Sequence, residues 1–231
     1  MDEVPSTDRR NQRRSSPLWS AALETWAHQL LYHRRVYPKD TFGTATFLGL
    51  KTYCNRHPQV VSYIRDTIHL GVPALLDGTA DQFSLVITRD VEQRNGQIDG
   101  ATIATTEVLE EYIIRITNFS RILDGKTANQ SNIADHELER SFRDLVLAIH
   151  GLDRNTSSPS PSMTFRLDVH LQEMGELSQK IHAALETGHW YSPSRDQKGS
   201  VLRPLYQAAT PAGNLHFTQR RPVRPTRQGG N

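Results

Sequence analysis

With 231 residues, 36% of them hydrophobic and 23% charged, the chain can build one substantial core and hardly two. Its single cysteine, Cys54, excludes an intramolecular disulfide. Its longest apolar run, Leu145–Ile149, is far short of the roughly 20 residues a membrane helix needs. Charge is uneven: residues 195–231 hold seven basic side chains against Asp196, so this segment is +6 and residues 1–194 are −4 within a net charge of +2. The mean hydropathy of −0.57 suggests that part of the length stays unfolded.

Residues 1–16 are polar and charged and read as a disordered arm without an apolar signal core, so secretion is not expected. From Leu18 the spacing of Trp19, Ala22, Leu23, Trp26 and Leu30 defines a helical stripe, which Pro38 should stop. A second helix starts near Pro58, with Val60, Val61, Ile64 and Ile68 as its buried face and Pro73 as a kink or end.

Two strands follow, marked by alternation at Phe83, Leu85 and Ile87 and at Tyr112, Ile114 and Ile116. Residues 91–107 between them read as an extended loop or a frayed hairpin. A third helix is expected from about Ile133 to Leu152, with Leu138, Phe142, Leu145, Val146 and Ile149 on one face. The clearest strand is Phe165–Leu171, where Phe165, Leu167, Val169 and Leu171 share one side and polar groups the other. A short amphipathic helix is placed at Met174–Leu185. Beyond Gly188 the composition is loop-like, with apolar islands at Val201-Leu202, Leu205, Leu215 and Phe217. The last eleven residues read as disordered. This order predicts an α+β domain, three helices packed on a largely antiparallel sheet.

No catalytic motif stands out. The ten histidines lack metal-ligand spacing, since neither His28/His33 nor His182/His189 is an i,i+4 pair. Nucleophile-elbow, phosphate-loop and dinucleotide fingerprints are absent, and no cofactor is implied. The basic tail with Arg220, Arg221, Arg224 and Arg227 has three readings, ranked as a solubilising tail, an import signal and a phosphate contact. Tyr63 lies off its helix stripe and Trp190 sits in a loop-like stretch. Each either pins its segment to the body or belongs to a binding groove.

The stretches 30–38 (Leu30-Leu31-Tyr32-His33-Arg34-Arg35-Val36-Tyr37-Pro38), 57–69 (from His57-Pro58 to His69) and 163–170 (Met163 to His170) resemble the HORMA domain. Within that family they are most similar to the accessory subunit of translesion DNA polymerase zeta. The resemblance covers about residues 18–217, Trp190 and Arg203-Pro204-Leu205 matching more loosely. It implies a HORMA domain over 17–217, whose C-terminal part, about 175–217, is a safety belt, with a disordered basic tail over 218–231.

The resemblance also implies a non-enzymatic nuclear adaptor. It would capture a proline-containing peptide of the catalytic subunit of polymerase zeta under the belt, supporting translesion synthesis and DNA damage tolerance. Tyr63 and Trp190 would line the peptide site, and Arg143 would serve HORMA–HORMA contacts in a homodimer or heterodimer. Leu202, His216 and Thr218 would meet the C-terminal domain of a Y-family scaffold polymerase, although the family's polar and aromatic groups are not reproduced at His216 and Thr218. Another HORMA adaptor, of the spindle checkpoint or the meiotic chromosome axis, is the alternative. Direct nucleic-acid binding through the basic ends is a third reading.

Overall fold

The apolar stripe of the first helix decides where the core forms. In the computed structural model, which describes residues 7–94, 102–117, 128–152, 162–171, 200–210 and 213–222, α1 spans Thr7–His33. Trp19, Leu23, Trp26, Ala27 and Leu30 on that stripe are completely buried. Trp19 meets Phe142 edge-on at 4.7 Å between ring centres, a favourable arrangement for large aromatic groups. The helix therefore begins well ahead of Leu18, and residues 7–16 are not a disordered arm. Their arginines and glutamine are good helix formers and extend a helix already anchored downstream. Its end also precedes Pro38: Arg35 takes a left-handed conformation (φ 54°) and the Val36 amide returns to the Leu31 carbonyl at 3.1 Å.

A 3-10 turn at Lys39–Thr41 leads into a hairpin that the sequence reading did not foresee, β1 (Phe42–Phe47) and β2 (Leu50–Asn55). Gly43-Thr44-Ala45-Thr46 carries little apolar alternation, and the two-residue turn is Leu48-Gly49 instead of the usual Asn-Gly. Both turn residues have positive φ, 46° and 74°, as a tight hairpin of this hand requires.

Helix α2 (Pro58–Asp77) opens with proline at its first position and ends at Gly78, whose φ of 80° suits a left-handed cap. Pro73 neither ends nor breaks it. Buried Ile68 and Val72 before the proline, and Ala74, Leu75 and Leu76 after it, hold both halves against the core. Their burial outweighs the roughly 3 kcal/mol an interior proline costs.

The main sheet has the order β5-β3-β4-β7-β6, all neighbours antiparallel. Its strands are β3 (Ala80–Arg94), β4 (Thr102–Thr117), β5 (Met163–Leu171), β6 (Ser200–Thr210) and β7 (Gly213–Pro222). β3 and β4 pair without a break as far as Arg94 and Thr102, so 91–94 and 102–107 are hairpin strands and neither loop nor frayed, while residues 95–101 lie outside the described residues. Helix α3 covers Ala128–His150. The architecture is the expected α+β one, three helices on an antiparallel sheet.

Phe83, Leu85, Ile87, Tyr112, Ile114, Leu167, Leu215 and Phe217 form the buried helix-side face. On the opposite face Ser84, Val86, Glu111 and Ile113 are also buried, so its centre is covered and not open to water.

Two further readings change. The apolar islands beyond Gly188 are the paired strands β6 and β7, and residues 218–222 continue β7 instead of starting a disordered tail. Phe217 pairs with Ile114 and Leu215 with Ile116, a burial that overrides the prolines and glycines around them. The helix placed at Met174–Leu185, Trp190 and the 175–199 part of the belt lie outside the described residues.

Candidate functional site

Three aromatic residues from three elements meet at the β5 edge of the sheet. Phe165 points to the helix side of β5, where Tyr63 of α2 approaches it at 5.6 Å and Tyr37, just after α1, at 6.2 Å, both edge-on. Glycine brings them together. A β-carbon on Gly71, two turns further along α2 than Tyr63, would lie 2.4 Å from Phe83 Cζ and 3.0 Å from Val169 Cγ2. Only a residue without a side chain lets α2 approach β3 and β5 this closely.

The Tyr63 hydroxyl accepts a hydrogen bond from the Leu167 backbone amide at 3.0 Å. β5 has β3 on one side and, among the described residues, no strand on the other. The amide that Tyr63 holds is therefore one of those facing the unpaired edge. Tyr63 is 41% exposed, yet burial of its ring and hydroxyl raises its pKa and outweighs the opposing Leu167 bond; Asp168 raises it further and Arg166 lowers it. The phenol stays protonated at neutral pH. A hydroxyl that accepts one bond still has a hydrogen to donate, so Tyr63 can bridge the edge amide to an incoming carbonyl.

On the covered face, polar groups are paired. Arg166 bonds Asp168 at 3.1 Å, Arg220 bonds Glu111 at 2.7 Å, and Ser84 lies 3.2 Å from His170 Nε2. Burial raises the Asp168 pKa against the pull of Arg166 and lowers that of His170. No group of three or more metal-ligating side chains occurs among the described residues.

The structure thus brings Tyr63 to a strand edge, and adds Tyr37 and Phe165, which sequence reasoning missed. Their signals were a tyrosine before Pro38 and an aromatic at the start of the alternating strand, each of which reads equally well as core. Arg143 is exposed on α3 and donates from Nη1 to the Leu48 carbonyl of its own chain at 2.8 Å. Leu202, His216 and Thr218 lie on the β6–β7 hairpin: Leu202 is 55% exposed, and His216 Nε2 is 2.9 Å from Thr117 Oγ1.

No protein-family model matches the chain. Among solved structures it superposes on a chain of the mitotic checkpoint complex with a TM-score of 0.64 at 16% identity, over 92% of this chain and 97% of that one. It superposes on HTP-2 bound to HTP-3 motif-6 with a TM-score of 0.60 at 13% identity, over 96% and 100%. C. elegans HTP-2 bound to the HIM-3 closure motif gives 0.59 at 13% identity, over 95% and 99%.

This chain has the HORMA fold.

Curated relatives of this HORMA domain bear the name mitotic spindle assembly checkpoint protein MAD2B. The Rattus norvegicus protein is 27% identical over 154 residues, 67% of this chain and 64% of the relative. The Homo sapiens protein is 26% identical over 151 residues, 65% and 63%. The chain therefore spans a little under two thirds of the relatives' length. These relatives and the HORMA-fold neighbours agree with the resemblance read from residues 30–38, 57–69 and 163–170.

Proposed function

We propose that the chain captures a proline-containing peptide of the polymerase zeta catalytic subunit and holds it along the β5 edge, supporting DNA synthesis past lesions in the nucleus. The observation that carries this reading is the Tyr63 hydroxyl held on the Leu167 amide, at an edge where no strand pairs among the described residues. A peptide added there gains main-chain hydrogen bonds, while Tyr37, Tyr63 and Phe165 offer an aromatic wall for proline rings. Trp190, on the proposed belt, would close over the peptide from the other side. Burial from two sides slows dissociation. Catalysis belongs to the partner, and this chain contributes affinity and position.

A second reading keeps the same edge and changes the peptide. The relatives carry a spindle-checkpoint name, and HTP-2 is solved with closure motifs, so a checkpoint or chromosome-axis motif is the rival occupant. Contacts of Leu202, His216 and Thr218 with a scaffold polymerase are part of the proposal.

Isothermal titration with proline-containing peptides tiled from the catalytic subunit tests it. One-to-one binding that is lost in Tyr63→Ala supports the polymerase reading. No binding by the folded chain, together with binding of a checkpoint or axis motif, overturns it in favour of the rival.

A further inference from the structure

The first hairpin carries a surface of different chemistry. From His33 to Arg65 the sequence holds six arginines and lysines and one acidic residue, Asp40. That is +5 within residues 1–194, which together sum to −4. Arg34 is neutralised inside the fold by Glu110. Lys39, Lys51 and Arg56 are exposed and form no ion pair among the described residues.

The fold sets these three cations along β1–β2. Lys39 Nζ lies 5.5 Å from the centre of the Tyr32 ring, and Lys51 Nζ 5.8 Å from that of Tyr53. The two rings stack on one another at 3.7 Å. Arg56 crosses Gly43 and donates to the Asp40 carbonyl, which brings its guanidinium to the base of the hairpin beside Lys39. Lys51 sits toward the turn, opposite Thr46 and four residues along β1 from Phe42. At roughly 3.3 Å per residue the basic track is about 13 Å long. Thr44 lies opposite Tyr53 and Thr46 opposite Lys51, so both exposed threonines share the Lys51 face.

We infer that the β1–β2 hairpin docks on the sugar–phosphate backbone of duplex DNA, without reading its sequence. Cations free of internal partners, with hydroxyl donors beside them, are the groups that meet phosphate oxygens. An acidic protein is the poorer fit, because the hairpin offers no apolar anchor. The exposed large apolar side chains among the described residues, Tyr63, Leu70, Leu147, Val201 and Leu202, all lie elsewhere. A single strand fits less well again. Its bases need open aromatic faces, and Tyr32 and Tyr53 cover one another.

The surface is separate from the β5 edge, and the inference does not rest on peptide capture there. It also differs from the basic tail, since every residue it uses lies between Lys39 and Arg56.

The test is fluorescence polarisation of the full chain with a short fluorescein-labelled DNA duplex. With three phosphate contacts, affinity falls about fortyfold between 50 and 200 mM salt. Lys39→Gln/Lys51→Gln/Arg56→Gln weakens binding at least about tenfold at the lower salt and flattens the salt dependence. Arg56 also bonds the Asp40 carbonyl, so Lys39→Gln/Lys51→Gln is measured beside it and gives an intermediate loss. An unchanged melting temperature identifies the folded variants.

No binding, binding insensitive to salt, or an affinity unmoved in both variants overturns the inference. Loss of binding in Arg224→Gln/Arg227→Gln with the hairpin intact overturns it in favour of the tail. Tighter, hairpin-dependent binding of a polyglutamate peptide overturns it in favour of an acidic protein. Tyr63→Ala leaves duplex binding intact, and a loss there would tie the contact to the β5 edge and overturn it as a separate surface.

Discussion

The Tyr63 hydroxyl and the Leu167 amide, 104 residues apart in sequence, are joined by a 3.0 Å hydrogen bond at the edge of β5 that has no partner strand among the described residues. The bond occupies a donor that an added strand would otherwise use. It also presents a phenolic hydrogen to the same space.

Removing the Tyr63 ring should therefore cost more than removing its hydroxyl. Tyr63→Phe is expected to weaken peptide capture by about 1 kcal/mol, one hydrogen bond. Tyr63→Ala and Trp190→Ala should each cost on the order of 2 kcal/mol or more. Titration calorimetry on folded variants measures all three, and unchanged affinity in a Tyr63→Ala/Trp190→Ala double variant would remove both residues from the site.

Gly71 sets how closely α2 lies on the sheet. Gly71→Ala forces a β-carbon into Phe83 and Val169, so it should destabilise the fold by about 2–3 kcal/mol. Adding Phe83→Leu opens room at the point of contact. The double variant should then be more stable than the sum of the two single losses predicts. Urea denaturation of the four proteins checks this, and strict additivity would show that the contact is relieved elsewhere.

Arg143 pins the Leu48-Gly49 turn within its own chain. Arg143→Ala should lower stability by about 1 kcal/mol through the lost bond to the Leu48 carbonyl. If the residue also serves HORMA–HORMA contacts, sedimentation will show weaker self-association in the same variant. Arg143→Lys should restore part of the stability, since its single ammonium can still reach a carbonyl, but not a planar bidentate contact.

His28 makes the fold sensitive to acid. It is 4% exposed and its Nδ1 accepts the Asn55 amide hydrogen at 3.4 Å, a role open only to the neutral ring. Burial, helped by Arg65, lowers its pKa from 6.5 to about 4. Between those values the unfolded chain binds a proton that the folded chain refuses. The contribution is therefore whole above pH 6.5 and lost as pH falls toward 4, by about 3 kcal/mol in total. His28→Asn should flatten this part of the stability profile. Denaturation midpoints at pH 7 and pH 4.5 test it, and an equal acid loss in both proteins would assign the effect to other groups.

Local pattern carried much of the fold. The α1 stripe through Trp19, Trp26 and Leu30, the α2 stripe through Ile64 and Ile68, and the alternation at Phe83, Tyr112 and Phe165 were legible because helix and strand periods act over a few residues. The β1–β2 hairpin was not, because Gly43–Thr46 is weakly apolar and its turn lacks the usual residues. Strands β6 and β7 were not either: Pro204, Pro211 and Gly213 speak for loop, and only pairing with β4 buries Leu215 and Phe217.

Tyr63 lies off its helix stripe, but nothing local points to Leu167. Tyr37 and Phe165 gave no sign of sharing an edge with it.

The sequence by itself determined the three helices and strands β3, β4 and β5, their apolar faces, and the resemblance to the HORMA family. The tertiary structure decided the strand order, and with it which strands lie at the sheet edges among the described residues. That order goes with contacts between residues far apart in the chain, such as Arg34 with Glu110, 76 positions away, and Tyr63 with Leu167, 104 positions away. No local period encodes them, because their energy appears only once the whole chain has closed around its core.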